Sequence, residues 1–337
     1  MKLPFYVGDG SRQPHRSPAT LPVSQRSRLL SPENYVADSG LRDACNVALL
    51  LGQPLLLTGE PGTGKTQFAY SLAWELGFGP PLKFETKSTT TARDLFYTYD
   101  ALRRFQDIQG GSTSTSLLSY ITYQALGLAI LRTRDPVEVK KFLPSEFQHS
   151  GKARSVVLID EIDKAPRDFP NDLLNEMEHM YFRIPELGNH KVEADPALQP
   201  ILILTSNSEK DLPDAFLRRC VYYNIPFPES ERLAEIIASH LGLATDSRTA
   251  FLQSALSLFY RLRAPQSGLR KKPATAEFLG WLLTLQRFAQ GRINPLTQRD
   301  IVLRTLSSLI KTAVDQEKAK DVVEQWMQEQ TTSSHLG

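Results

Sequence analysis

The sequence has no apolar run approaching the ~18 residues that cross a bilayer, which excludes a helical membrane span. Lys2 is not followed by an apolar stretch of signal-peptide type, so no secretory signal is expected. Cysteine is scarce: Cys45 and Cys220 are the only two. Two isolated cysteines read as core or surface thiols of a reducing compartment rather than a disulfide framework, and the default location is the cytoplasm. A bias of charge is also missing. The formal net charge is +2, so nothing pulls the chain as a whole toward nucleic acid or a membrane surface. Internal repeats are absent too.

What is present starts with length and apolar content. The chain has 337 residues, 41% of them hydrophobic, enough for two cores rather than one. The most informative stretch is Gly59-Glu60-Pro61-Gly62-Thr63-Gly64-Lys65-Thr66, which fits G-x-x-x-x-G-K-[ST] at every fixed position. Leu55-Leu56-Leu57-Thr58 before it reads as a buried parallel strand. From Gln67 to Leu76 the apolar residues recur at helical spacing, and Gly77 is a stop. Strand, glycine loop and helix are the context in which such a loop binds phosphate. The glycines let backbone N–H groups turn inward, and the helix start adds positive potential. Lys65 can reach terminal phosphates as a point charge, and the Thr66 hydroxyl can ligate Mg²⁺. The bland alternative is a chance glycine turn.

Along the chain, residues 1–30 are broken by prolines and basic, either a flexible leader or a contact arm. Strands are expected near 54–58, 82–86, 155–160, 200–206 and 220–225, forming a parallel sheet covered on both faces. A helix is expected near 41–51, with Leu41, Ala44, Cys45, Ala48 and Leu51 on its apolar face. Residues 106–153 read as an insertion, with a loop at 110–114 and a possible helix from Leu117 to Leu131. After Pro226 and Pro228 no strand pattern recurs; helices are expected near 230–241, 246–262, 275–289, 298–313 and 316–329. The domains are thus 31–228 and 229–330, with a frayed tail at 331–337.

A second chemical cluster follows Val156-Val157-Leu158-Ile159. Asp160 and Glu161 stand where a buried strand ends, the place at which open α/β sheets hold ligands. Asp160 can hold the metal, and Glu161 can act as base on a water. Asp163 reads as a capping or surface residue. Asn207 follows the strand of Ile201–Leu204 and either orients that water or occupies an ordinary turn. Arg218 and Arg219 come before the last strand. They are either a finger for the γ-phosphate or a surface pair at a helix end.

The phosphate loop, Asp160-Glu161, Asn207 and Arg218-Arg219 together resemble, in order and spacing, the Walker A, Walker B, sensor 1 and arginine-finger motifs of AAA+ ATPases. Leu173 to Glu178, followed by Phe182-Arg183-Ile184-Pro185-Glu186, resembles the β-hairpin before sensor 1 in the MoxR branch, near the dynein-related ATPases. The resemblance covers about 31–290. It implies a P-loop NTPase αβα sandwich with a five-stranded parallel sheet, followed by an all-α lid. It implies Mg²⁺ and ATP as cofactors. Glu60, Pro61, Thr63 and Gln67 would belong to the nucleotide site, with Tyr35 and Val36 in the adenine pocket. It further implies a ring, usually a hexamer, in which Arg219 serves the neighbour's nucleotide. A protein client and a von Willebrand A domain partner come with the branch, as does a helix-2 insertion, for which residues 106–153 are the candidate. The sequence departs from the pattern once. Ala274 or Ala276 falls where the lid's sensor 2 arginine is expected, leaving Arg270, Lys271 or Lys272 as substitutes. The expected function is an ATP-driven chaperone-like remodeller or motor. The rival expectations are a nucleotide-dependent scaffold with little hydrolysis and a nucleic-acid-linked NTPase, the latter disfavoured by the near-neutral charge.

Overall fold

The computed structural model describes residues 29–111, 116–144, 147–208, 212–241, 250–289 and 294–334. Most of the basic leader, residues 112–114 of the expected loop, the expected helix start at 246–249 and the end of the tail therefore lie outside the described residues.

Five strands make one parallel sheet: β1 (Leu55–Thr58), β2 (Leu82–Glu85), β5 (Val156–Asp160), β8 (Ile201–Thr205) and β9 (Val221–Asn224), in the order β2-β5-β8-β1-β9. Two antiparallel pairs stand apart: β3 (Tyr97–Tyr99) with β4 (Ile121–Tyr123), and β6 (Tyr181–Ile184) with β7 (His190–Glu193). The second pair is the hairpin that the resemblance implies before Asn207. Alternation assigns the core residues. Leu55 and Leu57 face one side of the sheet with Val156, Leu158 and Ile203; Leu56 faces the other with Val157, Ile159 and Leu204. The first side is covered by α1 (Ser39–Leu51) and α2 (Lys65–Glu75), the second by α4 (Ala125–Thr133) and residues 169–177. Each such Leu or Ile contributes roughly 1.5–3 kcal/mol by leaving water. The sheet is thus a buried platform whose strand ends are fixed in space.

Four expectations need correcting. Leu117–Leu131 is not one helix. Leu117–Tyr120 is a 3-10 turn, Ile121–Tyr123 is strand β4, and only Ala125–Thr133 is helical. The reason is pairing: Tyr97 lies opposite Tyr123 and Tyr99 opposite Ile121, which fixes those residues as extended. The excursion between β2 and β5 therefore runs from β3 through α3 (Ala101–Gln109) to β4, beginning and ending before the bounds of 106–153 and overlapping only their first part. By contrast α4 is an ordinary covering helix. It packs so closely that a Cβ on Gly127 would stand 2.0 Å from the Phe96 carbonyl oxygen. On α1, Leu51 is 59% exposed rather than part of the apolar face. The last helix continues to Ser334, past the start of the expected tail.

After β9 the chain is helical: α5 (Ser230–Leu241), α6 (Ala250–Arg263), α7 (Thr275–Ala289), α8 (Arg299–Leu309) and α9 (Ala313–Ser334). They share one core that includes Phe259, Phe278, Trp281, Leu306 and Trp326. Among the described residues no helix is long and apolar enough to cross a membrane. Cys45 is buried and Cys220 half-buried; both are free, and burial pushes their thiols up to about 11 and about 12.

Candidate functional site

β1 ends at Thr58 and α2 starts at Lys65, so residues 59–64 cross from the carboxyl end of a central strand to a helix N-terminus. Gly59, Gly62 and Gly64 have φ of 135°, 80° and 92°, values that disfavour any side chain. They also lack room. A Cβ would stand 2.6 Å from the Ile225 carbonyl oxygen at Gly59 and 3.0 Å from the Tyr35 ring at Gly64. Inside the loop, Thr63 Oγ1 donates to the Glu60 carbonyl at 2.9 Å. Lys65 Nζ donates to the carbonyls of Gly59 at 2.8 Å and Glu60 at 3.1 Å. Burial lowers the Lys65 ammonium below its ordinary value, opposed by Asp163, Asp160 and Glu161. Three carboxylates thus face the one buried ammonium of the loop.

Asp160, at the end of β5, is the hub. Its Oδ1 accepts from Thr66 Oγ1 at 2.9 Å and from Thr205 Oγ1 at 2.7 Å, while Lys83 Nζ sits 2.9 Å from Oδ2. Burial raises the Asp160 carboxyl, but the hydrogen bonds from Thr205, Lys83 and Thr66 outweigh it, and the net direction is down. The next residue, Glu161, is left-handed at φ 57°, and its N–H donates to Thr205 Oγ1 at 2.9 Å. Its carboxylate pairs with Lys164 at the surface. Asp163 is more than a surface residue: its Oδ1 accepts from the Asn207 N–H at 3.3 Å, tying the turn after β5 to the turn after β8. The Asn207 side chain itself is exposed.

Beside the loop a cavity of about 280 Å³ opens between the sheet and the helical region. Tyr35, Val36, Gly62, Thr63, Gly64 and Gln67 line it from one side, and Arg232, Ile236, His240, Thr275, Ala276 and Leu279 from the other. Among the described residues, His240 Nδ1 and Thr275 Oγ1 are the buried side-chain polar atoms with no hydrogen-bond partner. Both residues line this cavity. Burial holds the His240 imidazole below its usual value, which keeps it neutral.

Arg218 and Arg219 are elsewhere. They precede Val221, which pairs with Leu55 at the start of β1, so they stand at the amino ends of the strands, opposite the phosphate loop. Arg219 donates from Nη1 to the Ala215 carbonyl at 3.1 Å and lies 3.4 Å from Glu178. Arg270, Lys271 and Lys272 are exposed; the N–H groups of the first two are held by buried Asp315 at 2.9 and 3.0 Å.

Sequence reasoning missed Thr205, Lys83 and Arg263. Lys83 carried a signal, a charge inside an apolar strand. Thr205 carried less, and Arg263 only its place at a helix end.

The donors fit the groups the resemblance implies. Thr66 and Asp160 put two hard oxygens within contact of each other, as Mg²⁺ prefers. The glycine cradle would be filled by any Cβ, and the cavity offers two unpartnered polar atoms.

Among solved structures, the chain is similar to the RuvB Holliday junction branch migration motor of Thermotoga maritima. Identity is 15%, over 83% of this chain and 72% of that one, with a TM-score of 0.44. A point variant of the same RuvB gives 16%, the same coverages and 0.45. No curated protein matches the sequence. Residues 54–220, just under half of the chain, match the family model described as the AAA domain, dynein-related subfamily.

Proposed function

We propose that the protein binds Mg-ATP and hydrolyses it between copies of itself, as a chaperone-like remodeller or motor of the MoxR type acting on a protein client. One observation carries the reading. A glycine loop with three inward-turned positions opens onto the cavity of Tyr35, His240 and Thr275, and Thr66 meets Asp160 at 2.9 Å beside it. The loop amides and the start of α2 bind phosphate oxygens. Lys65 exchanges its loop carbonyls for the terminal phosphates. Thr66 and Asp160 would hold Mg²⁺, which when bound offsets phosphate charge. Glu161 takes the proton of the attacking water, and Asn207 orients that water. Arg218 and Arg219, at the far end of the sheet, would reach a γ-phosphate held by a second copy, in a ring such as the hexamer the branch resemblance implies. The test is calorimetry with Mg-ATP on the full chain: the wild type binds, and Lys65→Ala loses about tenfold or more, the cost of one desolvated charge contact. Unchanged affinity in the variant overturns the phosphate-loop assignment.

A second reading is favoured by one contact. The Glu161 carboxylate is paired with Lys164, which competes with its use as a base. A nucleotide-dependent scaffold that assembles and scarcely turns over would look this way. Steady-state phosphate release separates the two. Turnover in the usual enzymatic range, about 1–10³ per second, supports the motor. Binding without measurable release supports the scaffold.

A further inference from the structure

Among the described residues, the helical region meets the phosphate loop at Gly62 and at Glu60. Ala274 packs on Gly62 so closely that a Cβ there would stand 2.7 Å from the Ala274 Cβ. The second contact is polar. Arg263, the last residue of α6, donates from Nη2 to Glu60 Oε2 at 2.7 Å and from Nη1 to the Pro273 carbonyl at 2.6 Å. Its guanidinium lies over the Phe227 ring, 3.3 Å from the centroid. A planar fork can stack and bond two acceptors at once; a lysine in its place could not. The Arg263 side chain is only 9% exposed, so water competes for it weakly.

One guanidinium therefore joins the phosphate loop, the link between β9 and α5, and the segment leading into α7. From Phe227 the contacts continue inward. Phe227 is 6.1 Å from Phe259, Phe259 stacks on Phe278 at 4.0 Å, and Phe278 is 6.1 Å from Trp281. Phe259, Phe278 and Trp281 are buried in the helical core, and Phe227 packs against it. At the other end, the Glu60 carbonyl accepts from Lys65 Nζ at 3.1 Å. A polyphosphate competes for that ammonium. Filling the loop thus changes the partners of the Glu60 peptide, and the Glu60 carboxylate is the group that Arg263 holds.

We propose that Arg263 is a positioning residue that, through Glu60, couples filling of the phosphate loop to the order of the helical region. This rests on reading residues 59–66 as a triphosphate loop. A ligand shifts an equilibrium only through contacts that differ between its states, and in this proposal the Glu60–Arg263 pair has that role. A contiguous path is not itself evidence of coupling, so the test must measure coupling.

The experiment is hydrogen exchange over 250–263 and 275–289 in the full chain, with and without Mg-ATP raised to saturate each variant. Wild-type exchange there slows on the order of five- to tenfold with nucleotide. In Glu60→Gln, Arg263→Lys and Arg263→Gln the slowing falls below about twofold, and the Glu60→Gln/Arg263→Gln double variant is no worse than either single one. Glu60 is half-exposed, so Glu60→Gln keeps the test usable if an Arg263 variant fails to fold. A static strut would speed exchange equally with and without nucleotide and leave the ratio as in the wild type. That result, in a saturated variant, overturns the coupling alone. No heat with Mg-ATP in the wild type overturns the triphosphate reading and the coupling with it.

Discussion

The two ends of the five-stranded sheet both carry charge, and they hold it in opposite ways. At the carboxyl ends Asp160 receives Thr66, Thr205 and Lys83 from three different elements, all within 2.9 Å. At the amino ends Arg219 keeps a 3.1 Å bond to the Ala215 carbonyl of its own turn and one long ion pair, 3.4 Å to Glu178, and Arg218 is exposed. The first arrangement is complete within the chain. A buried carboxylate with several donors stays ionised and fixed without help from outside. The second is held loosely at a surface, where an ion pair is worth little and is easily exchanged for another partner. On the proposed reading, the first end holds the nucleotide and the second meets another copy.

That contrast breaks most sharply at Arg219. If it serves another copy's nucleotide, Arg219→Ala lowers kcat by about 10³ or more, the usual contribution of such a guanidinium. Mixing Arg219→Ala subunits with Glu161→Gln subunits then restores part of the activity, because some interfaces regain both groups. A mixture that stays inert at every ratio, measured by phosphate release, removes the case for action between copies. The next largest effect belongs to the carboxyl end. Glu161→Gln lowers kcat by about 10²–10⁴, the range of a lost general base. Normal turnover in that variant moves the base to another residue and leaves Asp160 and its donors as a binding site only.

The same contrast explains what the sequence discloses. Strands β1, β5 and β8 are legible because they are buried on both faces and read as unbroken apolar runs. The loop of 59–66 is legible because its chemistry is contiguous. Lys83 and Thr205 are not, since their meeting with Asp160 depends on which strands lie side by side, and β2-β5-β8 is an order no local window contains. Ile121 misleads for a related reason. With Leu117 and Leu118 it falls at helical spacing, yet its partner is Tyr99, across an excursion of intervening chain. Arg263 reaches Glu60 from beyond the last strand, so only the packing of the helical region on the loop reveals it.

The smallest expected effect concerns the wall between the two regions. Burial holds the His240 imidazole below its usual 6.5. As pH falls, the unfolded chain therefore takes up a proton before the folded one. The unfolded state binds more protons, so stability rises with pH and is lost as pH drops below about 6.5. The loss is about 1.4 kcal/mol for each pH unit separating the two states, and it ends once the folded imidazole also titrates. Asp160 and Asp315 are held below their usual 3.8, so their contributions persist down to that value and fade only in stronger acid. The His240 window opens near 6.5, well above the pH at which the carboxylate window opens. Between pH 7.5 and pH 5.5 the thermal midpoint of the wild type should fall further than that of His240→Gln, which cannot titrate. Equal falls in the two proteins would place the imidazole in contact with water or with an acceptor, and would remove His240 Nδ1 as an unpartnered group in the cavity wall.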